Sequence, residues 1–340
     1  GFAGRPPLDD TIVGAYISCV SQLSSEGRRF EEAADPPVPS PGPAVPAPDR
    51  RQLFIGFGLA TLVAIIWSGW MVALRFGATH ALLVSDITLL RFVGSGLIMA
   101  PVFVARWPEI RAAGWRPVLV LSMMGGVPYS LLSVGGLTFA PTAQGGVVIP
   151  GALAIFATLL GWAWLRERPG SERIVGLVLV VGALCLIGLE SAQEGSWEGA
   201  AFFLLAAFMW ATFTVGTRFY GLRPLTNVAV IACVPLAWYG PLLLAFNDTH
   251  IFSAPWSETV LQLVYQGLLA GAVAPLMYTR AIRTIGPQRA ALVMVLVPVL
   301  ATLQAWWLLS EVPGWLTVAG MILVLPGMAL AGGAISLRWR

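Results

Sequence analysis

The chain contains no lysine, because all twenty of its basic residues are arginine. A P-loop, Schiff-base chemistry and a Ser–Lys dyad all require a lysine amine, so these sites are excluded. Charged residues make up only 11% of the chain and hydrophobic residues 57%, whereas soluble proteins carry about 25% charged residues. A soluble fold lacks the polar surface to cover so much apolar material. The composition therefore predicts a protein with several membrane spans.

Cysteine and histidine are also scarce. The three cysteines form no CxxC pair, and the two histidines, His80 and His250, fall far apart in predicted loops. This pattern predicts no disulfide, metal site or cofactor. GxSxG and HExxH motifs are missing too, which argues against an intramembrane enzyme. A channel is the other alternative, although nothing in the sequence indicates a ring of charges or carbonyl groups.

Residues 1–49 differ from the rest of the chain. The stretch from Pro36 to Pro48 is rich in proline, which predicts an extended, disordered linker. Before it, apolar residues between Ile12 and Leu23 share one helical face, which predicts a short amphipathic helix. That helix is too short to span a bilayer.

Ten apolar segments follow this tail, each long enough to cross the hydrocarbon core as a helix. The predicted spans are 53–74, 82–105, 117–138, 142–164, 172–189, 197–217, 226–246, 258–279, 288–309 and 314–336. Arginines concentrate in alternate loops and acidic residues in the others. By the positive-inside rule, both termini are predicted to be cytoplasmic in a bacterial inner membrane. The arginines thus indicate topology rather than nucleic-acid binding.

The sequence is duplicated. Trp162, Leu165, Glu167, Pro169 and Gly170 recur 144 positions later as Trp306, Leu309, Glu311, Pro313 and Gly314. Arg75 and Phe76 recur 143 positions later as Arg218 and Phe219. The two copies are predicted to span residues 53–190 and 197–336. Because five is an odd number of spans, the second copy must be inverted in the membrane, as in many secondary transporters.

The sequence resembles the drug/metabolite transporter superfamily, and within it the EamA-type carriers. The resemblance rests on the duplicated five-helix unit, the Arg91-Phe92 pair in the second span, and a fourth span that ends in Leu-x-Glu-x-Pro. It covers residues 53–336. It implies an all-α membrane protein of ten helices in two inverted repeats, which binds a small-molecule substrate within the lipid bilayer as a monomer or homodimer.

Matched prolines lie inside the predicted spans of both copies. Pro128 and Pro275 fall in the third span of each copy, and Pro150 and Pro298 in the fourth. A proline removes a backbone hydrogen bond and kinks its helix. Broken helices at matching places in inverted repeats often mark the binding site and its hinges, although such kinks can also serve packing alone.

Two charges are predicted inside the second span, Asp86 and Arg91. A charge there is costly, so both are candidates for gating, charge compensation or substrate binding. The alternative is that they lie near the outer face and neutralise one another. If the carrier is coupled to protons, Asp86 is the acid available within the spans.

Aromatic and amide side chains near the prolines are candidates for lining a substrate site. They are Trp67, Trp70, Tyr129, Gln144, Trp210, Tyr278 and Gln304. The alternative is that the tryptophans belong to interfacial belts.

Phosphate-bearing cargo is disfavoured because it needs a cluster of basic residues. The first span contains no acidic residue, which disfavours the proton-for-cation exchange of small multidrug-resistance proteins. The sequence therefore predicts a carrier of a neutral or zwitterionic metabolite that works by alternating access. An amino acid is the first choice and export the expected direction; other amphipathic metabolites or drugs are the alternative.

Overall fold

The computed structural model describes residues 50–246 and 249–334. The predicted amphipathic helix and proline-rich linker of residues 1–49 lie outside these ranges. The described residues form ten apolar helices, as predicted. Nine are long and apolar enough to cross a membrane, and the tenth is an apolar helix of 17 residues.

Each half of the chain contributes five helices. The first half contains α1 (Arg50–Ala78), α2 (Val84–Ala105), α3 (Trp115–Phe139), α4 (Thr142–Leu165) and α5 (Ser171–Glu194). The second half contains α6 (Trp197–Tyr220), α7 (Pro224–Phe246), α8 (Trp256–Ile285), α9 (Gln288–Leu309) and α10 (Trp315–Ala331). A helix satisfies its own backbone hydrogen bonds, which is why apolar sequences of this length are helical in lipid.

Three of the four predicted hinge prolines coincide with an interruption of their helix. In α3 the first segment ends at Met124, and the second begins at Val127 with Pro128 as its second residue. Pro298 holds the same place where α9 resumes after Met294. In α8, Pro275 follows a π-helix over Leu263–Val273. These positions lack the backbone N–H that a continuous helix requires.

Pro150 differs from these three, because it lies inside the uninterrupted helix α4. The two fourth helices of the repeats are therefore not equivalent: α4 is continuous, whereas α9 is interrupted. A break at Pro150 is not observed in this conformation.

The helices α2 and α8 make an unusually close backbone contact. A Cβ atom placed on Gly94 would lie 2.7 Å from the Cα of Gly267. One turn further along α8, a Cβ on Gly271 would lie 2.9 Å from the Cβ of Ser95. The GxxxG spacing of Gly267 and Gly271 thus serves close helix packing.

Replacing Gly267 with valine is expected to destabilise the protein. The side chain has no space against Gly94, and overpacking of this kind typically costs about 1–3 kcal/mol. Gly58→Val is the matched control, because a Cβ on Gly58 meets no atom within 4 Å. The apparent melting temperature of the detergent-solubilised protein tests this. Equal melting temperatures for the two variants would show that the contact is not tight.

Candidate functional site

Helices of the two halves pack against each other. Helix α1 packs against α8 and α9 of the second half, and α6 packs against α3 and α4 of the first half. The first helix of each repeat therefore lies against the third and fourth helices of the other repeat. A rearrangement between the halves must change these contacts.

Two reciprocal aromatic pairs lie in this shared interface. Trp67 on α1 contacts Tyr278 on α8, with ring centroids 5.3 Å apart. Trp210, which holds the equivalent place on α6, contacts Tyr129 on α3 at 4.7 Å. The rings of Trp67, Tyr278 and Trp210 are partly accessible. Four of the predicted lining residues are thus brought together as two matched pairs across the repeat interface.

Arg91 lies beside one of these pairs. Its guanidinium carbon is 5.4 Å from the ring centroid of Trp70 and 6.0 Å from that of Tyr129. Within the described residues it forms no ion pair, and its side chain donates no hydrogen bond. Among the described residues, these two cation–π contacts are the electrostatic contacts of the Arg91 side chain.

Rings alone do not meet the needs of a guanidinium. Placing arginine at the centre of a membrane helix costs about 2.5–3.5 kcal/mol on insertion scales. A cation–π contact returns about 0.5–2 kcal/mol, so Trp70 and Tyr129 offset much of the charge penalty. They accept none of the N–H groups in a directed hydrogen bond. Arg91 therefore keeps its donors available.

Asp86 does not neutralise Arg91. Its carboxylate is fully buried and accepts hydrogen bonds from the backbone N–H of Leu83 at 3.1 Å and of His250 at 2.9 Å. The hydroxyl of Thr249 donates to it at 2.7 Å. Asp86 thus holds the start of α2 against the segment that follows α7. The alternative of mutual neutralisation between Asp86 and Arg91 is wrong for this conformation.

The two candidate glutamines lie in different surroundings. Gln304 on α9 donates from Nε2 to the Ser68 hydroxyl on α1 at 2.8 Å, at the interface between the halves. Gln144 is buried near the start of α4. Its Nε2 donates a hydrogen bond to Glu194 on α5, and its Oε1 accepts one from the hydroxyl of Ser191 on the same helix. Gln304 thus lies between the halves, and Gln144 tethers neighbouring helices within the first half.

The repeated junctions after α4 and α9 have the same backbone geometry. Each helix ends on a non-glycine residue in the left-handed region, Arg166 with φ 58° and Ser310 with φ 57°. The next residue, Glu167 or Glu311, donates its backbone N–H to a carbonyl six residues back, with both distances 3.3 Å. The duplicated sequence thus presents two carboxylates in the same way, one at each end of the molecule.

Each of these carboxylates forms an ion pair with an arginine of the other half. Arg75 at the end of α1 donates from Nε to Glu311 at 2.6 Å. Arg218 at the end of α6 donates from both terminal nitrogens to Glu167. Arg75 and Arg218 are themselves equivalent residues, so the two ion pairs are exchanged between the repeats and lie at opposite ends.

The two junctions differ in how firmly they are tied. Glu311 also accepts the backbone N–H of Thr142 at 2.9 Å, and Arg75 also donates to the carbonyl of Leu137. Among the described residues, Glu167 accepts only from Arg218. The side chains of the Arg75–Glu311 pair are 21% and 18% exposed, against 59% and 41% for Arg218–Glu167. The junction at Glu311 is therefore the more extensively bonded and the less exposed of the two.

The ion pair at the Glu167 end is nevertheless present at neutral pH. The hydrogen bond from Arg218 lowers the pKa of Glu167, and the charges of Arg218 and Arg173 act in the same direction. A lowered pKa means that the carboxylate stays ionised until the pH falls below the usual glutamate range. The pair is therefore not a proton switch between pH 6 and 8.

Sequence reasoning missed these cross-repeat ion pairs. Sequence analysis used Glu167 and Glu311 only as evidence of the duplication and assigned no partner to either. The structure shows instead that Glu311 receives the first N–H of α4, a helix of the other half. The two arginines recur 143 positions apart and the two glutamates 144 positions apart, and this shared recurrence could have indicated that they form matching pairs.

Known proteins resemble this chain in sequence and in fold. The sequence profile of the EamA-like transporter family matches residues 54–189 and again residues 197–333. The chain belongs to the EamA-like transporter family. This family lies within the drug/metabolite transporter superfamily, so the protein is a membrane transporter and not an enzyme. The resemblance carried by the repeated junctions is confirmed.

Relatives of this EamA-like protein are distant. It is 25% identical over 286 residues to an uncharacterized transporter of Archaeoglobus fulgidus, with 80% of this chain and 95% of that protein covered. It is 24% identical to a probable terminal-alkyne amino-acid exporter of Streptantibioticus cattleyicolor, with 81% and 89% covered. A solved crystal structure at 20% identity superposes with a TM-score of 0.51, covering 83% of this chain and 96% of that one.

Proposed function

We propose that this EamA-like protein is a secondary carrier that exports a small zwitterionic metabolite, with an amino acid first, by alternating access. The substrate site would lie between the halves, where Trp67, Tyr278, Trp210 and Tyr129 meet. The prolines that interrupt α3, α8 and α9 would act as hinges. No cofactor enters this scheme.

The observation that carries the proposal is the reciprocal exchange of ion pairs. In an inverted repeat, the same set of contacts can form at either end, and alternating access consists in making one set while breaking the other. Here the full set is formed around Glu311 and only the ion pair around Glu167. In the opposite state, Glu167 is expected to accept a backbone N–H at the start of α9, the helix that matches α4.

The substrate class follows from the aromatic pairs and the shortage of charge. Ring faces and the cation of Arg91 beside them, which has no ion-pair partner among the described residues, favour a solute with an apolar body and one anionic group over a phosphate ester. The amino-acid exporter of Streptantibioticus cattleyicolor supports this choice among the relatives. Other amphipathic metabolites or drugs are the second candidate and are outcomes of the test below.

The proposed orientation comes from the loop arginines. Arg166, Arg168 and Arg173 flank the Glu167 end, whereas Glu190, Glu194 and Glu258 lie towards the Glu311 end. By the positive-inside rule, the Glu167 end faces the cytoplasm, with both termini on that side of a bacterial inner membrane. The conformation described is then closed to the outside, as expected of an exporter that awaits cytoplasmic substrate.

Counterflow in proteoliposomes tests the proposal. Vesicles loaded with unlabelled amino acids are expected to accumulate the matching labelled amino acid transiently, because an alternating-access carrier exchanges solute across the membrane. Empty vesicles and vesicles without protein are the controls. A channel would show no counterflow. Exchange of amines or hydrophobic cations in place of amino acids would favour the second candidate function.

A further inference from the structure

Resting on that proposed function, we propose that Arg91, Trp70 and Tyr129 form a subsite for the single carboxylate of a solute with an apolar or aromatic body. The guanidinium would bind the carboxylate of the solute, and the neighbouring rings would pack against the apolar body of the solute. Three features of the structure support this assignment.

The first is the free hydrogen-bonding capacity of Arg91. A guanidinium stacked on a ring uses its face and leaves the N–H groups at its edge free to grip a carboxylate with two hydrogen bonds. Arg91 is partly accessible and donates to no acceptor among the described residues. The indole Nε1 of Trp70 is a second donor without an acceptor, and it is buried. Both donors fit an anionic oxygen ligand.

The second is the absence of a counterpart in the other repeat. Helix α7, which matches α2, contains no charged residue between Pro224 and Phe246. Residues that hold the repeats together do recur, as Arg75 and Arg218 show. Asp86 is also unduplicated, but its carboxylate is bonded to Thr249 and His250, whereas Arg91 has no such partner among the described residues. An unduplicated charge instead distinguishes one side of a pseudo-symmetric site, which is what a polar end group on the solute requires.

The third is the row of rings that leads away from Arg91. Trp70 and Trp210, which are partly accessible, flank the buried ring of Tyr129 with centroid separations of 6.5 and 4.7 Å. Such a row suits an apolar or aromatic side chain. The arginines near the helix ends, Arg75 and Arg218, are already neutralised by Glu311 and Glu167. One unpaired cation matches one negative charge, so a monocarboxylate fits and a phosphate dianion does not.

The test compares 3-phenylpropanoate with its isosteric amide, 3-phenylpropanamide. Binding to the purified full-length chain is measured from the concentration dependence of the thermal shift. The parent protein is expected to prefer the carboxylate by at least about tenfold, as for a charge-assisted hydrogen bond. In Arg91→Gln this preference is expected to fall to about twofold or less. Arg111→Gln, which removes an exposed arginine outside the spans, should retain it.

Several results would overturn the inference. They are no saturable binding of the carboxylate, no preference in the parent protein, and an undiminished preference in Arg91→Gln. Should Arg91→Gln fail to fold, Arg91→Lys decides, because lysine keeps the charge and loses the two-pronged geometry. Weaker carboxylate binding in that variant supports the subsite, and unchanged affinity overturns it.

The proposal of the carboxylate subsite and the proposal of the carrier can be rejected independently of one another. Counterflow of amino acids together with equal binding of the two phenyl compounds would reject the subsite and leave the carrier standing. A preference for the carboxylate without any counterflow would reject the carrier and retain the subsite. The two measurements therefore distinguish the two proposals.

Discussion

Replacing Arg91 with methionine is expected to yield a protein that is as stable as the parent, or more stable, and that has lost amino-acid transport. Methionine fills similar space beside Trp70 and Tyr129, and it removes a cation that has no carboxylate partner. Replacing an unpaired charge inside a membrane helix with an apolar residue is expected to be neutral or stabilising, here by up to about 1 kcal/mol. Transport should fall by about tenfold to hundredfold, because the charged contact to the solute is lost.

Thermal stability and counterflow, measured on the same preparations, separate this expectation from a structural role for Arg91. Arg75→Met is the matched comparison, since it removes an arginine that is paired and leaves Glu311 partly buried without its partner. That variant is expected to melt at a lower temperature than the parent. If Arg91→Met loses stability as Arg75→Met does, Arg91 is part of the scaffold rather than the site.

Replacing Glu311 with glutamine is expected to open the Glu311 end and close the Glu167 end. Glutamine cannot balance the charge of Arg75 and weakens the hold on Thr142. The ion pair is partly exposed, so its loss is worth about 2 kcal/mol, between the ranges for exposed and buried pairs. That energy corresponds to a change of about thirtyfold in the ratio of the two states. Glu167→Gln should shift the ratio the other way, and less.

Distances between paired spin labels measure both ends at once. Labels at Thr79 and Val312 report the Glu311 end, and labels at Arg168 and Arg223 report the Glu167 end; all four positions are exposed. The native cysteines Cys19, Cys185 and Cys233 are first replaced with serine. In Glu311→Gln the first distance should lengthen while the second shortens. Two ends that open together, or neither moving, would contradict a reciprocal mechanism.

The fold could be predicted from the sequence because both of its determinants are local. Apolar runs of sufficient length must be helical in lipid, and the recurrence of Leu-x-Glu-x-Pro indicated the duplication. The predicted helix count and the family are confirmed. The repeat boundaries at residues 53–190 and 197–336 and the substrate-lining role of the aromatic residues remain predictions.

The contacts between halves could not be read from the sequence in the same way. Nothing local in Glu311 indicates that it receives a backbone N–H from Thr142, because the two residues meet only after both repeats have packed. The surroundings of Asp86 were missed for the same reason: its partners Thr249 and His250 lie more than 160 positions away. Arg91 could be identified as unusual from its place inside an apolar span. That it has no ion-pair partner among the described residues could be seen only in the folded structure.

The contact between Glu311 and Thr142 also bears on biogenesis. The two residues are separated by 169 positions, whereas Glu167 and Arg218 are separated by 51. During synthesis the junction at Glu167 can therefore assemble early, while the start of α4 and the end of α1 wait for nearly the whole polypeptide. The first half cannot satisfy the N–H of Thr142 or the charge of Arg75 by itself, so these groups gain their partner only when the last part of the second half has been made.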